Sequence, residues 1–507
     1  MRIFTNSSSR CSERILSASH DPMKNILYIN TIPSGGGAAA VMQRLDHMMR
    51  LRGASAHILT RLPTSGNLDD ALKITSCGGL LSWCRLRGQL DYHIQKSHDL
   101  RNNAFFQQAD ILHLHNLHGD YFNLWSLPLL SALKPTVWTL HDMQALTGHC
   151  AYSLDCKRWL PETGCGECAS LSAYPRLWHD TTRQLWQDKR TIYAHSSLYL
   201  VTPSVWLQRL TEKSLLREHP LVCIPNGADT SIYRPQDQQE ARRLLGLPQG
   251  ALLVGGCADG GLANPWKGGQ YILETVLELK KTFPNLYFLN IGVKSPPAEL
   301  QGAGWVQHIP YVHEPVQLAR LYTALDLLLY PTLADNHPLV CIESLCCGTP
   351  IAGFATGGVP EIVRDGLDGL LVPTHDGTAL TKAATTLLQD ADLRKKIGNE
   401  AAASAAQRFN LELFAQRYEK VYEEALHIPR SLEKSRLPLD KIPAIVKSPA
   451  FMRQEWAKYP SASQQKAKFL RRCALQGRLY IALATIAGWP LQSVRSLRSL
   501  YRRIRIR

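Results

Sequence analysis

Residues 325–373 read LDLLLYPTLADNHPLVCIESLCCGTPIAGFATGGVPEIVRDGLDGLLVP. This stretch contains three short apolar runs, LDLLLYP, PIAGFA and DGLLVP, which are separated by helix-compatible and glycine-containing segments. Nearly continuous Val, Ile and Leu runs are typical of strands that helices cover on both faces. The stretch therefore predicts part of a parallel sheet in an α/β protein.

The same pattern extends from this stretch towards both ends of the chain. A length of 507 residues suits two domains and a tail. Two successive sets of strands predict two doubly wound, Rossmann-like domains that face a cleft, at residues 23–225 and 251–408, with a linker at residues 226–250. The further predicted strands are KNILYIN, DILHLHN, TVWTLHD, LYLVTPS and LVCIPNG in the first set, and ALLVGGC, LYFLNIG and VQHIPY in the second.

The two ends of the chain differ in character from these domains. Residues 1–22 lack the apolar core of a signal peptide and are predicted to be a disordered extension, with a misassigned start before Met23 as the alternative. A helix at residues 409–428 is predicted to close the second domain and to pack back on the first. Residues 429–507 combine a proline-containing linker with a basic amphipathic tail, in which Leu491 and Leu497 fall on one apolar stripe.

Charge and composition limit the class of partner and the compartment. The formal net charge of +15 favours anionic partners such as nucleic acid, anionic lipid or phosphate-bearing substrates. No helix-turn-helix, RNA-recognition or zinc-finger pattern supports nucleic acid, and no run of eighteen apolar residues predicts a spanning helix. Thirteen cysteines without a secretory signal favour a cytoplasmic protein. The basic tail predicts a peripheral position on the inner face of the plasma membrane, with a solvated or partner-binding helix as the alternative.

Two carboxylates in the opening stretch, Asp335 and Glu343, are separated by seven residues. The segment between them has the pattern of a helix start, because Asn can cap a helix and Pro suits its first turn. Free backbone N–H groups at such a start suit a diphosphate. Glu343, about two turns further on, can then accept both hydroxyls of a ribose, and Asp335 can hold the hydroxyls of a sugar. The alternative is an ordinary capped helix with a solvated glutamate. The donor-binding residues predicted in this segment are Asn336, His337, Pro338 and Leu339.

These residues resemble the donor-binding motif of retaining glycosyltransferase family 4. In that motif two acids with seven residues between them precede a Gly-Thr-Pro turn, here residues 348–350, and a Gly-Gly-x-Pro-Glu loop, here residues 357–361. The resemblance covers about residues 23–427 and implies a GT-B fold. It assigns the donor sugar to Asp335 as a catalytic residue and the ribose to Glu343. The family usually has Glu at the first position, so the shorter Asp335 is a departure that leaves its detailed role open.

Three further positions gain a role from this resemblance. Lys267 lies in an Asn-Pro-Trp-Lys-Gly-Gly turn after a predicted strand, where a lysine can neutralise a diphosphate. The Arg that the family usually has four or five residues earlier is absent here. Gly36 and Gly37 follow the first strand, and the resemblance places them where backbone N–H groups meet the donor phosphate. A plain strand-to-helix turn is the alternative. His141 ends a strand and is implied to be a catalytic residue on the acceptor side of the cleft.

The resemblance implies transfer of a sugar, with retention, from a UDP- or GDP-sugar to a glycan or polyprenyl-linked acceptor. It implies no metal or other cofactor in catalysis, because cationic side chains and a helix dipole act on the diphosphate. The cysteine-containing loop described next resembles that of exopolysaccharide enzymes of the colanic-acid type. The alternatives are a catalytically inactive regulatory or binding module with the same fold, and an epimerase or glycogen-type synthase.

Residues 148–170 form a cysteine-rich loop. Cys165 and Cys168 are separated by two residues, a spacing that suits one edge of a tetrahedral zinc site. Cys150 and Cys156 form a looser pair. We predict a structural zinc ion held by these four thiolates, which would leave no open position for catalysis. Two disulfides are the alternative and would need an oxidising compartment.

Overall fold

The computed structural model describes residues 24–61, 84, 87–92, 94, 96–293 and 295–437. Within these residues the chain forms two parallel six-stranded sheets, each covered by helices. This architecture confirms the predicted fold class of two Rossmann-like domains. The predicted extension at residues 1–22 and the predicted amphipathic tail helix lie outside the described residues.

The first sheet contains all five strands predicted for the N-terminal half and one strand that was not predicted. The unpredicted strand, with the sequence SAHILT, lacks a continuous apolar run because Ser55 and His57 interrupt it. The strands are β1 (Asn25–Asn30), β2 (Ser55–Thr60), β3 (Ile111–Leu114), β4 (Thr136–Thr139), β5 (Tyr199–Thr202) and β6 (Leu221–Cys223), in the spatial order β2-β1-β3-β4-β5-β6. The helices of this half are α1 (Gly37–Leu51), α2 (Lys96–Asp99), α3 (Ala104–Gln108), α4 (Leu127–Leu133), α5 (Thr182–Ala194) and α6 (Val205–Thr211).

The second sheet has the strand order of a Rossmann fold when its strands are counted from its own first one. The strands are β7 (Leu252–Cys257), β8 (Leu286–Ile291), β9 (Val306–Ile309), β10 (Leu327–Tyr330), β11 (Ile351–Phe354) and β12 (Gly369–Val372), in the spatial order β12-β11-β10-β7-β8-β9. The helices are α7 (Gln238–Leu244), α8 (Gly269–Thr282), α9 (Pro315–Ala324), α10 (Leu339–Cys346), α11 (Val359–Ile362), α12 (Gly377–Gln389), α13 (Ala391–Arg408) and α14 (Leu411–Leu426).

Both faces of the second sheet are buried, as its continuous apolar strands require. Within β10, Leu328 belongs to one hydrophobic cluster, whereas Leu327 and Leu329 belong to the cluster on the opposite face. Burying a leucine side chain stabilises a fold by about 1.5–3 kcal/mol. These clusters hold the sheet rigid, so the loops that follow its strands start from fixed positions.

The segment between the sheets and the last helix connect the two halves. Residues 226–250, predicted to be a linker, contain the short helix α7, and Ala228 forms a β-bridge with Asn410. Helix α14 then returns to the first sheet, where its residues Tyr418 and Tyr422 are buried in the same core as Tyr28 of β1. The chain therefore passes from the first domain to the second and back to the first.

Candidate active site

The candidate donor site lies where the strand order of the second sheet reverses, between β7 and β10. Loops at such a point diverge and leave a crevice at the carboxyl ends of the strands. Lys267 follows β7 and Asp335 follows β10, and the structure joins them in an ion pair. The hydroxyl of Tyr330 also donates to Asp335, whose side chain is largely buried. Two residues predicted separately as donor ligands are therefore in direct contact.

A glycine turn allows the two loops to approach this closely. Gly268 has a φ of +66°, and a Cβ at this position would lie 1.8 Å from the carbonyl oxygen of Pro331. Any other residue would push the loop after β7 away from the loop after β10, because the obstacle is backbone. The glycine that follows Lys267 is thus a geometric requirement of the Lys267–Asp335 pair.

Asn336 connects the two domains and does not cap the helix that follows it. Helix α10 starts at Leu339, with Pro338 at the cap position and no side-chain cap, so the predicted capping role of Asn336 was wrong. Its amide Nδ2 donates to the carbonyl oxygens of Leu140 and His141, at 3.3 and 3.1 Å. These carbonyls lie just after β4, in the first domain. Capping would use the side-chain oxygen of Asn336 as an acceptor, and that oxygen instead accepts from the hydroxyl of Ser204 in the first domain.

Two more side chains, those of Ser204 and Glu361, join the two domains beside Asn336. Ser204, which caps α6 in the first domain, donates its hydroxyl to the side-chain oxygen of Asn336. Glu361, at the end of the Gly-Gly-x-Pro-Glu loop, accepts from the backbone N–H groups of Val205 and Trp206 at 2.7 and 2.6 Å. A carboxylate at the start of a helix is favourable, so Glu361 of the second domain adds to the cap that Ser204 provides for α6.

His337 is buried next to Asn336, where the two domains meet. Its backbone oxygen accepts from the side chain of Asn226 at 2.9 Å, and its ring lies edge-on to Phe409 with centroids 5.7 Å apart. Burial, followed by the charge of Arg408, lowers the pKa of His337 to about 3. His337 is therefore uncharged at neutral pH, and it supplies no positive charge to a diphosphate.

Glu343 lies on α10, and its carboxylate is paired with Arg44 of α1. Arg44 also donates to the carbonyl oxygen of Gly227 at 2.7 Å and lies 5.6 Å from the ring centroid of Tyr233. Burial opposes the charge of Arg44, but the carboxylate of Glu343 raises the pKa of Arg44 above its usual value. The predicted ribose ligand is thus held by a cation of the first domain, which the sequence analysis missed. The hydroxyl of Tyr322, 3.4 Å away, approaches the other carboxylate oxygen of Glu343.

The glycines after β1 lie opposite the second domain. Helix α1 begins at Gly37, and Gly36 precedes it with a φ of +77°. The N–H of Gly36 donates to the hydroxyl of Tyr311, 3.3 Å away, in the loop that follows β9. The N-terminus of a 15-residue helix therefore faces the cleft, a position suited to an anion.

His141 belongs to a buried cluster of histidines under the first domain's strand ends. Its Nε2 lies 2.8 Å from Nδ1 of His115, and the two rings are stacked. Burial lowers the pKa of His141 to about 4, so it is an uncharged hydrogen-bonding group at neutral pH. His113 continues the cluster, bonding to Tyr422 of α14 and to Thr139 of β4, both at 2.8 Å. The closing helix therefore supports the strand end that carries His141.

Two thiols of the cysteine-rich loop lie close to neighbouring polar groups. The N–H of Gly148 donates to Sγ of Cys165 at 3.2 Å, and Sγ of Cys168 lies 3.5 Å from Nε2 of His149. None of Cys150, Cys156, Cys165 and Cys168 is in a disulfide. Across the described part of the chain, no group of three or more His, Cys, Asp or Glu residues is arranged to hold a metal ion. The structure gives the zinc site no support, and it stays a prediction that elemental analysis of the purified protein can decide.

Two facing Rossmann-like domains with a lysine–acid pair at the switch point of the second sheet define a glycosyltransferase of the GT-B class. Family models agree with this class. The model of Glycosyltransferase Family 4 matches residues 35–232, and the model of Glycosyl transferases group 1 matches residues 257–390. The chain belongs to glycosyltransferase family 4.

Curated relatives match over part of their length. The chain is 30% identical to D-inositol 3-phosphate glycosyltransferase of Corynebacterium aurimucosum over 223 residues, which is 41% of this chain and 52% of the relative. The enzyme of the same name from Nocardia farcinica is 33% identical over 196 residues, 36% of this chain and 43% of the relative. The chain spans about half the length of the curated relatives it matches.

Solved structures share the fold over most of the chain. Sucrose-phosphate synthase of Thermosynechococcus elongatus superposes with a TM-score of 0.60 at 18% identity, covering 79% of this chain and 98% of that one. Anabaena HepE in complex with UDP-glucose gives a TM-score of 0.55 at 17% identity, covering 79% of this chain and 100% of that one. At these identities the likeness is one of fold.

Proposed function

We propose that this protein is a hexosyltransferase-type enzyme that transfers a sugar from a nucleotide-sugar donor to an acceptor hydroxyl with retention of configuration. The observation that carries the proposal is the contact of Lys267 with Asp335 at the switch point of the second sheet. Glu343 lies on helix α10, which begins four residues after Asp335. A cation and two carboxylates at a switch point suit a diphosphate and two hydroxyl-bearing rings.

Each group has a task in this proposal. Lys267 and the N-terminus of α1 at Gly36 stabilise the charge of the departing diphosphate. Asp335 accepts hydrogen bonds from the donor sugar, and Glu343 accepts them from the ribose. His141, uncharged, orients the sugar from the first domain. The leaving phosphate takes the proton of the acceptor hydroxyl on the same face, so no enzyme base and no metal ion enters the scheme.

A thermal-shift panel of UDP-, GDP-, ADP- and dTDP-sugars tests the donor site. We expect one nucleotide class to raise stability by about 2.7 kcal/mol at a hundredfold excess over its dissociation constant. UDP-glucose is the first choice, since Anabaena HepE is found in complex with it. In Glu343→Gln, which keeps the shape of the side chain beside Arg44, the shift should be lost.

The matched control for this test is Glu419→Gln. Glu419 lies on α14 and also pairs with an arginine, Arg52, which directly follows α1 and lies 2.6 Å away. Its replacement should leave the nucleotide shift unchanged. No shift with any nucleotide at millimolar concentration would reject the proposal in favour of an inactive module. An equal shift in Glu343→Gln and wild type would reject the assignment of the site.

We further propose that the acceptor is a polyprenyl-linked glycan of exopolysaccharide biosynthesis, reached from the cytoplasmic face of the membrane. Support comes from the sequence resemblance and from the basic tail, which lies outside the described residues. No helix in the described part of the chain is long and apolar enough to cross a membrane. We propose that attachment is peripheral and uses the apolar stripe and the arginines predicted for the tail.

Vesicle co-sedimentation tests the tail. The full chain should sediment with phosphatidylglycerol vesicles, less so at high salt, and not with phosphatidylcholine vesicles. A chain ending at Leu437, the last residue before the undescribed tail, should stay in solution. Equal binding of the full and shortened chains would exclude the tail as the attachment.

A further inference from the structure

The carboxylate of Glu343, proposed above as the ribose ligand, is covered by other side chains. The side chain of Glu343 is 5% exposed. Its Oε1 accepts from Nη2 of Arg44, and its Oε2 lies 3.4 Å from the hydroxyl of Tyr322. A hydroxyl must come within about 2.5–3.0 Å of a carboxylate oxygen to form a hydrogen bond. The two hydroxyls of a ribose can therefore reach Glu343 if one of the covering side chains moves.

Arg44 is the covering side chain that can move. Tyr322 is fully buried in the core of the second domain, and its backbone oxygen accepts from the hydroxyl of Thr349 at 2.6 Å. The side chain of Arg44 is 16% exposed and reaches Glu343 from helix α1 of the first domain. Moving Tyr322 would open a close-packed core, whereas moving Arg44 changes one side chain or the spacing of the two domains.

Arg44 has other partners that it can keep when it leaves Glu343. Its Nη1 donates to the carbonyl oxygen of Gly227 at 2.7 Å, and its guanidinium lies 5.6 Å from the ring centroid of Tyr233. These contacts offset part of the cost of separating a buried cation from a carboxylate. The ribose hydroxyls then donate to the carboxylate that Arg44 has left, so the exchange replaces one set of hydrogen bonds by another.

Helix α1 also contacts the second domain at its first turn. The N–H of Gly36, proposed above as a diphosphate ligand, donates to the hydroxyl of Tyr311 at 3.3 Å. Gly36 and Arg44 thus lie about two turns apart, and each uses a group in a contact between the domains that a bound donor would require. Donor binding would therefore replace contacts between the domains by contacts with the ligand.

We propose that Arg44 is an autoinhibitory latch, which occupies the ribose-binding carboxylate of Glu343 and must be displaced when a nucleotide binds. Displacement breaks the ion pair between α1 and α10, so nucleotide binding loosens the contact of the two domains at this point. The latch lowers the apparent affinity in proportion to the fraction of molecules in which it is open. This inference rests on the proposed function, because it takes Glu343 as the ribose ligand.

A ratio of two dissociation constants tests the latch. Calorimetry measures the binding of UDP, GDP, ADP or dTDP, whichever class the thermal-shift panel selects, and of its 2′,3′-dideoxy form, which lacks the hydroxyls of the sugar ring. In the wild type the dideoxy form should bind less than about threefold more weakly, because each hydroxyl bond replaces a bond of Arg44. In Arg44→Met it should bind at least about tenfold more weakly, because the hydroxyls meet a free carboxylate. The ratio cancels any direct effect of the arginine charge on the diphosphate.

Arg44→Lys provides a second variant that retains the positive charge if Arg44→Met does not fold. Lysine lacks the planar fork with which Arg44 reaches both Glu343 and Gly227. The latch should therefore be weaker, and the ratio should exceed that of the wild type by about twofold to tenfold. Arg52→Met is the matched control, because it removes an arginine that pairs with Glu419 of α14 at 2.6 Å. Its ratio should equal that of the wild type.

The opposite result has a clear meaning in each case. A ratio in Arg44→Met or Arg44→Lys that is no greater than in the wild type would overturn the inference, since Arg44 would then assist ribose binding or have no part in it. A wild-type ratio above about tenfold would also overturn it, because the hydroxyls would already gain their full hydrogen bonds. In both cases the proposed function stands as long as the nucleotide binds. Absence of nucleotide binding to the wild type would overturn both.

Discussion

Replacing Lys267 by methionine is expected to lower the turnover number by about a hundredfold to a thousandfold, the usual cost of removing one group that stabilises transition-state charge. Lys267 meets the acid Asp335 at the switch point, where the diphosphate would leave. The family usually places an Arg four or five residues earlier, but this chain has Leu262 and Ala263 there. Lys267 is therefore expected to carry more of the charge neutralisation here. Turnover is measured at saturating donor.

Two further variants separate chemistry from folding in this prediction. Lys281→Met removes a lysine from the exposed end of α8, where it pairs with Glu278 at 2.6 Å, and should leave turnover unchanged. Lys267→Met leaves Asp335 without its cation, so the double variant Lys267→Met/Asp335→Asn removes the unpaired carboxylate. If the double variant regains wild-type thermal stability and turnover together, Lys267 has a structural role only. A loss below tenfold in the single variant would also contradict the charge role.

The strands of both sheets could be predicted because strand formation depends mainly on residues that are adjacent in the sequence. Continuous apolar runs such as LLLY in β10 fix both the strand and its burial on two faces, and the rule for strand ends then places Lys267 and Asp335 in one crevice. β2 was missed for the same reason, since its apolar residues are interrupted. Elements that depend on a short stretch of neighbouring residues can therefore be predicted from the sequence alone.

The contacts between domains could not be predicted from such windows. Asn336 has the local signal of a helix cap, yet its side chain bonds to Ser204, 132 residues earlier. A local pattern does not show which of several residues before a helix turns its side chain towards another domain.

The sequence pattern of α1 does indicate that Arg44 is largely buried. It lies three residues after Val41 and four before Met48, so it falls within the apolar stripe of α1. A charge at such a position requires a buried partner, because an unpaired buried ion is very costly. The partner, Glu343, is 299 residues away. Periodicity could therefore indicate that a carboxylate meets Arg44, but only the fold shows which one.

Arg44→Met is expected to lower the free energy of unfolding by about 3–5 kcal/mol, because it leaves the buried carboxylate of Glu343 without its cation. The variant also removes the donor to the carbonyl oxygen of Gly227, between the two domains. The double variant Arg44→Met/Glu343→Gln should recover most of this loss, since a neutral amide needs no counter-charge. Urea unfolding of the wild type, both single variants and the double variant gives the interaction free energy between Arg44 and Glu343 directly.

The control is Arg243→Met, which breaks an exposed ion pair with Glu240 on α7 and should leave the unfolding midpoint unchanged. Equal losses in Arg44→Met and in the double variant would show that packing of the arginine stem, not its charge, stabilises the interface. A loss below about 1 kcal/mol would place the pair among solvent-screened surface contacts, and the Arg44–Glu343 contact could then not hold the domains together. With the expected loss and recovery, the carboxylate of Glu343, which we propose binds the donor ribose, would also fix the first domain over the second.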